Sequence, residues 1–192
     1  NTILYNLVFI LLGTVFSILV AVALSLILNK TLAKIYQTCL FLPYFLTWVV
    51  VGYLLLSFLS FDKGTVNSIL HWFNIKPIQW YDKASAWPYI LTYVNLWKNV
   101  GYSAVIYLAA IIGIDRQYYE AAEIDGANKW QQLLSITLPH LKPLIIVMTL
   151  LALGRIFSAD FGLFYQATLN SGALYPTTDV IDTYVFRRLM YT

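Results

Sequence analysis

The sequence predicts an all-α fold, a polytopic bundle of membrane-spanning helices, and three observations carry that expectation. The 192 residues are 60% hydrophobic and only 11% charged, whereas a soluble domain covers its surface with about a quarter charged residues. Mean hydropathy is +0.70. Residues 1–29 and 35–61 contain no charge at all, and each run exceeds the roughly 20 residues an α-helix needs to cross a hydrocarbon core. Lipid, not water, is the solvent this composition fits.

A first span is expected at about residues 3–28, closed by Asn29-Lys30, with a polar link over 30–34. A second is expected at 38–60, with Pro43 near its beginning, where a missing N–H is tolerated. Residues 61–86 mix charges, Gly64, Pro77 and aromatics, so they read as an extramembrane connection with a short amphipathic helix over 65–73. Trp72, Trp80, Tyr81 and Trp87 suit a membrane–water boundary. A third span over 87–113 contains Asn95, Lys98 and Asn99, and a fourth over 139–159 contains Arg155. Residues 161–178 are uncharged, but Gln166, Asn170, Ser171, Gly172 and Pro176 point to a loop that packs on protein or lines a cavity. Residues 180–192 read as the beginning of a fifth span. The chain opens at Asn1 without a methionine and stops just after Arg187-Arg188, so it reads as a fragment, with four full spans and a truncated fifth.

Several function classes recede on composition alone. A signal peptide would have a shorter apolar stretch behind a basic front end. A net charge of +3 is too small and dispersed for nucleic acid. Cys39 stands alone, which leaves no intrachain disulfide or cysteine-based metal site. Neither His71 nor His140 has a second ligand at metal spacing, and no metal or other cofactor is expected. The positive-inside rule returns a tie: Lys30, Lys34, Arg116, Lys129 and Lys142 balance Lys63, Lys76, Lys83, Arg187 and Arg188.

Residues 118–143, YYEAAEIDGANKWQQLLSITLPHLKP, break the apolar pattern. Asp115 is an expected N-cap for a helix running to Ile124. Gly126 is a natural stop, and Asp125 is placed to cap the next helix. That second helix is expected over 127–137, its apolar side formed by Trp130, Leu133, Leu134 and Ile136, with Pro139 opening the next span. Ala121 and Ala122 beside Glu120 make a small-residue face suited to close approach by another protein. A plain solvated hairpin fits the same local chemistry.

The spacing adds more. Glu120-Ala121-Ala122, Asp125-Gly126-Ala127, and then Ile136, Leu138-Pro139 and Pro143 resemble the EAA loop of binding-protein-dependent ABC importer permeases, whose pattern is E-A-A-x-x-D-G-A with I-x-L-P further along. Three chemically unlike elements in register exceed a lone motif. Trp97-Lys98-Asn99-Val100-Gly101 and the large connection at 61–86 are similar to the carbohydrate and polysaccharide branch. The resemblance implies a type I (MetI-like) importer transmembrane domain, usually of six spans, in which 114–142 is cytoplasmic. Glu120, Ala121, Ala122, Asp125, Gly126 and Ala127 would form the coupling loop seated on a separate ATPase subunit, since no G-x-x-x-x-G-K-[ST] loop is present. It also implies a second permease subunit, an extracytoplasmic solute-binding protein and an oligo- or polysaccharide cargo, the chain itself being no enzyme. Amino-acid, peptide or phosphate import, a membrane-embedded lipid or glycan transferase, and an uncoupled pore are the competing readings.

Two groups of polar residues remain. Lys98 at mid-span must face protein or water. With Asn95, Asn99 and Tyr102 at i±3 and i±4 positions it forms a stripe, which either lines a cavity for solute or packs between helices with Lys98 satisfied by a carbonyl or a partner acid. Arg155 and Asp160 are placed to pair with each other or with a partner subunit.

Overall fold

The computed structural model describes residues 1–190, and of Lys30 the backbone alone. The described residues are helical or irregular, with no strand. They fall into two compact units.

One unit comprises residues 10–44 and 96–154. Its core joins Ala21 and Leu24 of α1 (Thr2–Ser25), Ala104, Tyr107, Leu108 and Ile111 of α5 (Trp87–Ile112), and Leu141 of α8 (Leu138–Leu153). At 1.5 Å per residue α1 and α5 are about 36 and 39 Å long, enough for a hydrocarbon core of about 30 Å. Ser17, fully buried, donates its hydroxyl to Val100 O across that core. α2 (Lys30–Phe41) starts at Asn29, whose side chain accepts from the N–H groups of Thr31 and Leu32. The stretch expected as a polar link is thus already helical, because Asn29 caps it. α2 lies against α5 so closely that a Cβ on Gly101 would sit 1.8 Å from Leu40 O.

The expected second span is not one helix. α2 passes into a 3₁₀ turn, Leu42–Phe45, and α3 (Trp48–Leu59) starts afresh with Thr47 accepting from Val50 N–H. Pro43 has no N–H to continue the α-helical ladder, so it marks the break rather than the beginning.

The other unit comprises residues 1–9, 45–95 and 155 onward. Tyr5, Val51, Trp87, Leu91, Leu163, Phe164 and Leu174 belong to its core. α8 ends at Gly154, so Arg155 lies beyond the span expected to contain it. Asn6 donates to Ile156 O at 2.8 Å and Ser158 O at 3.2 Å, supplying the carbonyls the helix no longer serves. The segment 161–178 is not a plain loop but α9 (Phe161–Gln166), a 3₁₀ turn and α10 (Tyr175–Thr178). Asp160 caps α9 through Leu163 N–H and also accepts from Trp48 Nε1 at 2.8 Å, so it does not pair with Arg155. α11 (Ile181–Met190) has ten residues and carries Arg187, whose guanidinium pairs with Asp179 and lies over the Tyr175 ring. Its described residues rise about 15 Å. Tyr191 and Thr192, the last residues of the segment expected to begin a fifth span, lie outside the described residues.

Of the four expected boundary aromatics, only Trp72 is exposed. Trp87 is buried and donates Nε1–H to Trp80 O at 2.8 Å, Trp80 Nε1–H donates to Asn67, and the half-buried Tyr81 hydroxyl donates to Ala167 O. Among the described residues two helices, Thr2–Ser25 and Lys129–Leu153, are long and apolar enough to cross a membrane, or up to four spans if each bent pair counts as one.

Glycine substitutions test the α2–α5 contact. Gly101→Val is expected to lower the unfolding free energy by about 3 kcal/mol, because backbone rather than a mobile side chain is in the way. Gly13→Ala, with nothing within 4 Å of the added Cβ, is expected to raise it by about 0.5–1 kcal/mol. Thermal unfolding in detergent reads both.

Candidate functional site

The charged elbow is assembled from strictly local chemistry. After α5 the chain turns by 68° into α6 (Arg116–Ile124). Asp115 Oδ1 accepts from Gln117 N–H at 3.0 Å, as the sequence predicts for an N-cap. At the other end Ala127 N–H reaches Ala122 O at 2.8 Å and Gly126 N–H reaches Glu123 O at 3.1 Å. This crossed pair is a Schellman closure, and it requires a left-handed residue. Gly126 supplies it at φ +77°.

The second helix differs from expectation in its cap and its length. Asn128, not Asp125, caps α7 (Lys129–Gln132): its side chain accepts from Gln131 N–H at 2.9 Å, and its own N–H donates to Gln131 Oε1 at 2.8 Å. Asp125 instead ends α6. α7 then runs through a π-helical turn, Leu133–Thr137, directly into α8, so 129–153 is one continuous helix. Pro139 has no N–H for Ser135 O, and Leu138 N–H reaches back five residues to Leu133 O. The I-x-L-P signature marks a widened turn inside a helix, not the start of a new one.

Three contacts brace α6 against this continuous helix. Tyr119 and Thr137 share a hydrogen bond of 2.9 Å between hydroxyls, with Thr137 buried. Tyr118 and His140 place their rings 5.2 Å apart. Lys129 donates to Glu123 across the glycine turn and also to the buried Gln132, whose Nε2 donates to Ala127 O. The Lys129 hydrogen bond, reinforced by its charge, holds the Glu123 carboxyl below the usual glutamate range. That pair is therefore intact at neutral pH and opens only as pH falls through a range lower than that of an ordinary glutamate.

What the elbow presents outward is Glu120, Ala121, Asp125 and Gly126, with Ala122 and Ala127 half-buried. Beside them stand Ile124, 87% exposed, and Trp130, 66% exposed. The apolar periodicity of the sequence singles out Trp130 but not Ile124, a lone apolar side chain in the last turn of an acidic helix. Nor does it single out Tyr119, Thr137 and Gln132, whose roles depend on contacts between elements.

The polar stripe lies along α5, with Lys98 buried, Asn95 and Asn99 half-buried, and Tyr102 exposed. Lys98 is 7% exposed and donates to Tyr44 O at 2.7 Å and Pro43 O at 3.4 Å. Its ammonium thus serves the carbonyls freed where α2 breaks. Tyr102 stacks on Tyr44 at 4.5 Å between centroids, with Phe41 beside them. No group of three or more His, Cys, Asp or Glu able to hold a metal occurs among the described residues.

Comparison with known proteins bears directly on this geometry. Residues 13–186 match the family described as "Binding-protein-dependent transport system inner membrane component". The chain belongs to that family. It is similar to the polygalacturonan/rhamnogalacturonan transport system permease protein YteP of Bacillus subtilis, 32% identical over 171 residues, which is 87% of this chain and 53% of the relative. It is also similar to the arabinooligosaccharides transport system permease protein AraP of Halalkalibacterium halodurans, 31% identical over 166 residues, covering 83% of this chain and 52% of the relative. Among solved structures it superposes with a TM-score of 0.93 and 34% identity on a bacterial alginate ABC transporter in complex with an alginate pentasaccharide-bound periplasmic protein, over 99% of this chain and 65% of that one. The chain spans about half the length of the curated relatives it matches. Membership makes this inner-membrane component all-helical with the importer permease fold, as the sequence predicts.

For this inner-membrane component the Lys98 geometry has a direct consequence. Lys98→Met keeps the stem and removes the donors, leaving two carbonyls unserved in an apolar interior. Stability is expected to fall by about 1–3 kcal/mol, Lys98→Arg retaining most of it. Thermal unfolding in detergent measures the loss.

Proposed function

We propose that this chain is the permease subunit of an ATP-driven importer. It forms half of a translocation pathway for an oligo- or polysaccharide and is coupled through residues 114–142 to an ATPase on a separate subunit. The observation that carries the reading is the braced elbow. Its outer face offers Glu120 for a charged contact, Ala121 and Ala122 for close approach, and Ile124 and Trp130 as apolar surface left uncovered by the described residues. Exposed apolar groups rimmed by polar ones are the kind of surface that a protein or membrane partner covers.

Because α7, the π turn and α8 form one helix, a push on the elbow is delivered straight into a span. Closure of two ATPase subunits would carry each elbow with it, tilting the attached helices so that the pathway alternates between faces. In this arrangement 114–142 and 29–37 are cytoplasmic, while 61–86 and 159–180 face outward and receive cargo from a solute-binding protein. A second, similar permease completes the pathway. Asn95, Lys98, Asn99 and Tyr102 border it, with Lys98 fixing the broken helix and the exposed Tyr102 ring the member able to meet a sugar.

The carbohydrate cargo is favoured over amino acids, peptides or phosphate by the relatives' names, which specify polygalacturonan, rhamnogalacturonan and arabinooligosaccharides. A membrane-embedded transferase is disfavoured by where five of the nine acids are committed. Asp115 and Asp160 cap helices, Glu123 and Asp179 pair with cations, and Asp182 accepts from Ala159 N–H at 2.7 Å.

In proteoliposomes containing the assembled importer, Glu120→Lys and Gly126→Val are each expected to cut uptake about tenfold or more, as the loss of about 1.4 kcal/mol of docking would. ATP hydrolysis should continue and membrane insertion should be normal. Normal transport in both variants refutes the coupling role.

A further inference from the structure

The connection between α3 and α5 contains a helix whose apolar side is turned away from the protein. In α4 (Thr65–Trp72) and its C-cap Phe73, the side chains of Ile69, Trp72 and Phe73 are 46%, 83% and 72% exposed. The orientation is not loose. Asn67, 5% exposed, donates Nδ2–H to Ile78 O at 3.0 Å and Phe61 O at 3.2 Å, and accepts from Ile78 N–H and Trp80 Nε1–H, both at 3.1 Å. At about 100° per residue, Ile69, Trp72 and Phe73 lie about 200°, 140° and 240° around the helix from Asn67. The residue that pins α4 and the residues that project are on opposite sides.

Chain connectivity sets the depth. The uncharged run from 35 ends at Phe61, Asp62 and Lys63 are the next charges, and α4 begins at its N-cap Gly64. α4 therefore starts where hydrocarbon gives way to headgroups. Lys63 before it, next to the likewise exposed Asp62, and Lys76 after it are both exposed, so a cation stands in the chain on either side of the helix. Tryptophan favours this depth, its ring in the acyl boundary and its N–H among headgroups.

We infer that α4 is an interfacial helix bound to the phospholipid leaflet on its own side of the membrane. Ile69, Trp72 and Phe73 enter the top of the acyl layer, and Lys63 and Lys76 face lipid phosphates. An eight-residue helix is too short to bind a surface by itself, but Asn67 pre-orients it, so the loss of freedom on contact is already met by the fold. The inference rests on membrane embedding alone and not on cargo or coupling. The helix would limit how far the second and third spans shift along the membrane normal.

The test uses the assembled importer in nanodiscs of mixed zwitterionic and anionic phospholipid, in a Cys39→Ala background. An environment-sensitive dye is attached through Trp72→Cys or, independently, Ile69→Cys, with Lys83→Cys as reference. Both apolar-side positions are expected to be quenched by phospholipid spin-labelled near the top of its acyl chain, and to be several-fold less accessible to iodide than position 83. Iodide access equal to that at 83 without lipid quenching overturns the inference. So does shielding that appears only when solute-binding protein is added, which would assign the surface to that protein.

Discussion

In a bilayer a helix can stop, bend or restart only where another group takes over the hydrogen bonds it abandons. This constraint organises the whole chain. Where α2 breaks, Lys98 serves the carbonyls of Pro43 and Tyr44. Where α8 ends, Asn6 serves Ile156 and Ser158. Where α3 gives way to α4, Asn67 gathers the carbonyls of Phe61 and Ile78. Each is a side-chain donor placed at a point of irregular backbone.

The elbow, which lies outside the apolar runs, closes its own helix ends by local means. Asp115, Asn128 and Gly126 close its ends, and the Tyr119–Thr137 and Glu123–Lys129 contacts tie its two arms together. A hairpin satisfied this fully from within has its outer residues available for something else. In the proposed coupling role, this internal bracing suits it to act as a lever. A loose loop would absorb a displacement, whereas a braced one continuous with α8 passes it on. The π turn at 133–137 is the one place in that lever where the helix widens, and such turns recur at functional positions.

Legibility in the sequence divides along the range of the interactions. α1 and α5 are readable to within a few residues, because uncharged length and a change of composition define a span without reference to neighbours. Asp115 and Gly126 are readable for the same reason, their chemistry being decided within four residues. The short helix at 65–72 is visible as an amphipathic run. The second span reads as continuous because Pro43 is equally at home near a helix start and at a break, and the deciding partner, Lys98, lies 55 residues away. Residues 161–178 read as a loop on the strength of their polar content, although Asp160 ahead of an apolar run is a usable N-cap signal. Trp80, Tyr81 and Trp87 suit the boundary by residue type, whereas packing draws them inward. In the candidate site the motif residues are legible from spacing; the bracing residues are not, since nothing local distinguishes Tyr119 from Tyr118.

The central claim is most directly tested by position-specific crosslinking in native membranes, with cysteine introduced at Glu120→Cys or Ile124→Cys over Cys39→Ala. A covalent product with the nucleotide-hydrolysing subunit is expected, in a yield that changes between ATP-bound and nucleotide-free states. Products with lipid or solvent-borne reagents alone, whatever the nucleotide, would contradict it.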